Sequence, residues 1–236
     1  MTFGDTTMLR RWKYVVLLSM LLAGVVAQSF ATATSPKSNL HTVTETVFDV
    51  AIFLVVFDRS AAAVRRVMTV FLILIVSIGW ARYLPVSSFE RVLLVTHEVG
   101  TGIFCWVTVW MILRNLFRTS VIGADNVLGA ICGYLVAGQA WANLNSLAYL
   151  LAPATYLFDP AVAPLLADWH GRHALFAYYS YTQMLAIGYA DLTPLKAPAT
   201  TLSLLAALFG LFYTAVIVST LVSMARSTRK GTRGDH

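Results

Sequence analysis

Six apolar runs, at about residues 14–33, 43–57, 67–84, 92–113, 124–151 and 199–225, leave this chain little choice of fold. A helix needs roughly 20 mostly apolar residues to cross a bilayer. With no water available, its backbone must satisfy its own hydrogen bonds. The runs therefore predict spanning α-helices joined by short polar connections. The second run is the shortest and opens on Glu45 and Asp49. Composition agrees: 58% of the residues are hydrophobic, 12% are charged and the mean hydropathy is +0.72. A soluble domain carries about 25% charged residues, so this composition points to an integral membrane protein.

The net charge of +6 and pI near 9.5 raise nucleic acid as a partner. The basic residues are instead scattered through short connections between apolar runs, which is the pattern of membrane topology. Twelve of the 17 Lys and Arg fall on one side if the N-terminus is cytoplasmic. They precede the first run (Arg10, Arg11, Lys13), follow the second (Arg59, Arg65, Arg66) and the fourth (Arg114, Arg118), and close the chain (Arg226, Arg229, Lys230, Arg233). Lys37, Arg82, Arg91, Arg172 and Lys196 fall outside. Both termini are thus expected in the cytoplasm and the protein in the plasma membrane. The first run, followed by Ala31-Thr32-Ala33, also fits a cleaved secretory signal, but its length and the charge balance favour a retained span. Cys105 and Cys132 lie inside apolar runs and read as inert residues.

Between the fifth and sixth runs, residues 152–198 break the pattern with Pro153, Asp159, Pro160, Pro164, Asp168, His170, Arg172 and His173. The orientation puts this region outside. It contains a segment at about 174–185, long enough for three helical turns, followed by Ala186-Ile187-Gly188-Tyr189-Ala190-Asp191. Non-helical backbone at membrane depth is tolerated only where it is buried in protein or lines a watery cavity. The C-terminus of the short helix would present partial negative charge and favour a cation. Gly188 can take φ > 0, which lets successive carbonyls face one way. Tyr189 would brace the turn through Tyr178, Tyr179 or Tyr181, and Asp191 would attract cations at the mouth.

The stretch 186–190 resembles the Thr-Val-Gly-Tyr-Gly filter of potassium channels, whose carbonyl oxygens replace an ion's water shell. The fifth run, with Gly129-Ala130 followed by Tyr134-Leu135 and then Trp141, is similar to the outer helix of the bacterial two-transmembrane ion channel family. The sixth resembles that family's inner helix, with Gly210 where the family keeps a glycine regarded as a gating hinge. An intramembrane glycine also serves close helix packing. The resemblance covers about 121–225 firmly and the preceding spans loosely. It implies an all-α transmembrane fold of six spans, with a re-entrant pore helix and filter between the fifth and sixth. Residues 1–118 would form a four-helix membrane domain, 119–226 the pore domain and 227–236 a short basic cytoplasmic tail. The filter would comprise Ala186, Ile187, Gly188, Tyr189, Ala190 and Asp191. One loop supplies a quarter of a carbonyl ring, so a homotetramer in the lipid bilayer is implied.

The sequence departs from the family pattern at three positions. Ala186 replaces a Thr whose hydroxyl completes the innermost ion site, and Leu185 replaces a second Thr. Ala190 replaces a Gly in a conformation that a Cβ disfavours, at roughly 1–2 kcal/mol per residue for left-handed geometry. The expectation is passive permeation of monovalent cations, K⁺ foremost, with weakened K⁺ selectivity. The rival readings are a non-conducting homologue acting as a scaffold or sensor, and a membrane enzyme or transporter. A transporter would show repeated halves with interrupted helices, and only one interrupted segment occurs. No cofactor, catalytic residue, resident metal, nucleic-acid partner or soluble ligand domain is expected.

Gating charges would require a helix with Arg at every third residue, and no run has one. His97 and Glu98, adjacent inside the fourth run, face different sides of a helix. They read as a hydrogen-bonded pair reaching neighbouring helices, with a proton-sensitive gate as the sharper alternative. Glu45 and Asp49, at i and i+4, share a helical face. They could bind a cation, but an ion pair with Arg82 or Arg91 is the plainer expectation. His170, Arg172 and His173 read as solvated loop residues, with a pH-sensitive outer turret as the alternative. The basic tail would attract lipid headgroups.

Overall fold

The computed structural model describes residues 15–24, 26, 40–57, 62–81, 89–118, 124–167, 169–188 and 191–231. The chain is mostly helical. A short apolar helix, α1 (Val15–Gly24), precedes α2 (Leu40–Phe57), α3 (Ala62–Ala81), α4 (Glu90–Arg118) and α5 (Ala124–Leu151). Two 3₁₀ turns, Pro153–Thr155 and Ala163–Ala167, flank β1 (Tyr156–Phe158). Then come α6 (Trp169–Met184), β2 (Leu192–Pro194) and the long α7 (Ala197–Gly231). The two strands pair antiparallel, with Leu157 opposite Thr193. This small ribbon is the departure from an all-α expectation.

Among the described residues four helices are long and apolar enough to cross a membrane, over Val64–Ala81, Arg91–Phe117, Asn126–Leu151 and Ala197–Thr220. Their outward faces are apolar: Val67 is 67% exposed, Leu204 60% and Phe212 66%. Apolar surface on that scale is not left to water. Helix α7 continues through residue 231, so the first part of the expected tail extends the helix.

One core joins Leu17 of α1, Ile52 of α2, Ile75 of α3, Phe104 of α4, Val136 of α5, Met184 of α6 and Ala206 of α7. Helices α4 and α5 run antiparallel along their length. Gly102 packs on Asn143, Trp106 stacks edge-on against Trp141 at 5.3 Å and Ile112 meets Gly133. Helix α5 is in turn antiparallel to α7. The Tyr213 hydroxyl donates to the Ala130 carbonyl at 2.7 Å, and Trp141 faces Phe209 at 6.3 Å.

Candidate functional site

The segment between α5 and α7 is organised by α6. Its 16 residues make about 24 Å of helix, too short for a hydrocarbon core of about 30 Å. Ten of the sixteen are buried, so α6 is an internal element.

Side chains on α6 meet α7 in rising register. Tyr179 donates its hydroxyl to Ser203, whose own proton goes to the Ala199 carbonyl. Five residues on, the Met184 backbone lies against Gly210, where an added Cβ would fall 2.0 Å from the Met184 carbonyl oxygen. Helices α6 and α7 therefore run in the same direction. Two consecutive helices can do so only if the chain between them doubles back. Gly210 is thirteen residues into α7, so the end of α6 sits about 20 Å down that helix. By Leu192–Pro194 the chain is back beside β1, where Asp159 N–H donates to the Asp191 carbonyl at 3.0 Å.

Helix α6 ends in a hydrogen-bonded cap. Ala186 N–H donates to Gln183 O and Ile187 N–H to Thr182 O, both at 2.9 Å. Ala186 takes φ +56° between them. This is the Schellman arrangement, with alanine in the left-handed position usually given to glycine. Gly188 follows at φ +65°. The non-glycine residue between the two positive angles, Ile187, does not share them. Leu185 and Ile187 are 57% and 50% exposed, with Ala186 and Gly188 exposed beside them.

Of the six expected filter residues, Ala186, Ile187, Gly188 and Asp191 fall in this returning segment, whereas Tyr189 and Ala190 lie outside the described residues. Tyr179 bonds Ser203, Tyr181 donates to the Leu135 carbonyl at 2.7 Å, and Tyr178 is 45% exposed. Gly210 makes a close backbone contact with α6, the packing role held open beside the hinge.

The connection between α5 and α6 is fastened to α5 through Asn145, which is fully buried. Its Oδ1 accepts from the Tyr156 hydroxyl at 2.7 Å, and its Nδ2 donates to Ser180 Oγ at 3.1 Å and Trp141 O at 2.9 Å. Burial, reinforced by nearby Tyr179, pushes the Tyr156 phenol above its usual range, so it stays a neutral donor. The hydrogen bonds of Asn145 are those of a structural joint.

Two expectations are corrected. His170, Arg172 and His173 are not in a solvated loop, because α6 begins at Trp169, five residues before the expected start. Arg172 and His173 are 7% and 6% exposed, and Gly171 lets this first turn press on the Leu165 backbone. Arg91 does not serve as the expected partner of the α2 acids. Its Nη2 donates to the Leu150 carbonyl at 2.9 Å, capping α5, and Arg82 lies outside the described residues.

The pair in α4 does reach two neighbours. Glu98 Oε1 accepts from Ser146 Oγ of α5 at 2.7 Å, while His97 meets the Trp169 ring of α6 edge-on at 5.3 Å. Trp169 also faces His173 at 5.5 Å and lies under the Arg172 guanidinium, 5.5 Å away. No local spacing marks Ser146 and Trp169 as these partners. Among the described residues no group of three or more His, Cys, Asp or Glu is placed to hold a metal ion.

No known protein family, curated protein or solved structure matches the chain.

Proposed function

We propose that this chain is one subunit of a homotetrameric cation pore of the potassium-channel type. It would lie in the plasma membrane with six spans and both termini cytoplasmic. The observation that carries the reading is the parallel run of α6 and α7. On this reading Leu185–Gly188 and Asp191–Lys196 belong to a re-entrant segment returning from mid-membrane depth, its described residues outside any helix and Leu185–Gly188 exposed. Such backbone is stable in a bilayer only if other protein covers it or water reaches it. Four copies around an axis supply both, with Leu185–Gly188 facing the axis and the apolar face of α7 against neighbours and lipid.

Alternation of φ sign at Ala186 and Gly188 suits a row of carbonyls directed at a permeating ion. With no Thr hydroxyl at 186 and a Cβ at 190, the ring passes monovalent cations with weakened K⁺ selectivity. The test is reversal potentials across bilayers holding purified protein, under opposed K⁺ and Na⁺ gradients. Small shifts from zero with both ions are expected. A strongly K⁺-selective reversal overturns the selectivity statement. A monomeric mass in detergent together with no flux overturns the pore.

A further inference from the structure

Away from the returning segment, a chamber of about 30 Å³ lies where α2, α4, α5 and the start of α6 converge. A water needs roughly 10–15 Å³, so the chamber admits a water or two and nothing the size of a lipid, peptide or nucleotide. Its wall is unusually polar for a membrane interior. Thr101 comes from α4, Gln139 and Asn143 from α5, Glu45 and Asp49 from α2 and His173 from α6.

Three of these side chains are short of partners, and together they specify the guest. Gln139 and Asn143 stand one turn apart on α5 and are 3% and 2% exposed. Asn143 Nδ2 donates to the Gln139 carbonyl at 2.8 Å, which fixes the amide, because turning it over would set oxygen against oxygen. Its Oδ1 can only accept and has no hydrogen-bond partner among the described residues. Thr101 Oγ1, in a residue 8% exposed, and Gln139 Nε2 have none either. The Tyr181 hydroxyl lies near the Gln139 amide, but an amide nitrogen carries two protons, so a donor is left over even when one goes there. Gly102 brings α4 onto this part of α5, since an added Cβ would lie 3.4 Å from Asn143 Cβ.

A donor, an acceptor and a hydroxyl that is both thus line one small space. The Gln139 N–H repels a metal cation, and the Asn143 carbonyl repels an anion. Ammonium has no lone pair to offer Gln139. Water both donates and accepts at this size.

We infer that the chamber holds a structural water that accepts from Gln139 Nε2, donates to Asn143 Oδ1 and shares a hydrogen bond with Thr101 Oγ1, tying α4 to α5. Three bonds are the usual complement of a buried water. The fourth is left for the α2 acids in either of their states. When Thr101 donates, the water has a proton for a carboxylate; when Thr101 accepts, it has a lone pair for a carboxylic acid. The site is separate from the returning segment and holds whether or not that segment conducts.

The test is X-ray radiolysis of the full-length protein in nanodiscs, with mass spectrometry of the oxidised side chains. Hydroxyl radicals formed from a bound water attack what lies beside it before they can diffuse away. Cys105 lines the chamber and Cys132 does not, and both are fully buried, so the second thiol is an internal control. Expected is oxidation of Cys105 at least tenfold faster than of Cys132. The near-isosteric Thr101→Val should slow it several-fold. Asn143→Leu, which removes the amide acceptor and keeps the volume, should bring it to the Cys132 rate. Equal rates for the two thiols in the wild-type protein overturn the water whether or not the variants fold. A fast Cys105 rate unmoved by either substitution overturns it too. So does reaction of Cys105 with a charged maleimide in the folded protein, which would mean that the chamber is open to bulk water.

Discussion

Gly210 stands so close to Met184 that a methyl group on its α-carbon would fall 2.0 Å from the Met184 carbonyl oxygen and 2.7 Å from the carbonyl carbon. The obstacle is backbone, at the end of α6, and cannot swing aside as a side chain would. Helix propensity alone predicts that Gly210→Ala stabilises by about 1 kcal/mol. Overpacking against a fixed neighbour predicts a loss of about 1–3 kcal/mol. We expect the loss, seen as a lower Tm in detergent, because α6 and α7 must separate. A glycine acting only as a hinge would leave Tm level or raised while open probability changed.

Ala186 gives a second prediction with a sign. At φ +56° its Cβ sits in a region costing roughly 1–2 kcal/mol for an L-residue. Ala186→Gly should relieve about 1 kcal/mol and raise the unfolding midpoint. Ala186→Thr introduces the hydroxyl of the potassium-channel filter pattern but puts a β-branched residue where such side chains are outliers. It should lower the midpoint by a similar amount unless the α6 cap is rebuilt. Measuring both substitutions in one detergent shows whether the cap at Thr182 and Gln183 survives in the assembled protein.

How far the sequence could be read depended on which forces acted locally. The boundaries of α5 follow directly from an unbroken apolar run, and Ala124–Leu151 is where the run lies. The start of α6 was not legible. Trp169-His-Gly-Arg-His173 has the polarity of a loop, and only burial against Leu165 and His97 makes it helix. The cap at Ala186 was hidden for a related reason. The usual signal is a glycine just past the helix, and here the glycine comes two residues later. Glu45 and Asp49 could be seen to share a face. That Thr101, Asn143 and His173 close the chamber over them depends on the packing of α4, α5 and α6, which no local spacing encodes.

The joint at Asn145 should be costly to break. Asn145→Ala removes the acceptor for Tyr156 and a donor to Ser180, both in buried surroundings. An unsatisfied buried polar group costs about 1–3 kcal/mol. Tyr156→Phe orphans one lone pair of Asn145 and should cost about 1 kcal/mol by the same reasoning. Limited proteolysis of the connection at 152–168 should quicken more in Asn145→Ala than in Tyr156→Phe. Equal protection in the two variants would mean that the ribbon, not the asparagine, holds the connection down.

Asp191 is exposed, and its carbonyl is fixed by Asp159 N–H where the chain returns to the ribbon. In the proposed tetramer its carboxylate is repeated four times around the outer mouth. Such a ring concentrates cations over roughly a Debye length, about 30 Å at 0.01 M salt and about 3 Å at 1 M. Asp191→Asn should therefore lower single-channel cation conductance several-fold at 10 mM salt and leave it almost unchanged at 1 M. A conductance deficit of the same size at both salt concentrations would place Asp191 in the structure of the mouth, with no part in gathering ions.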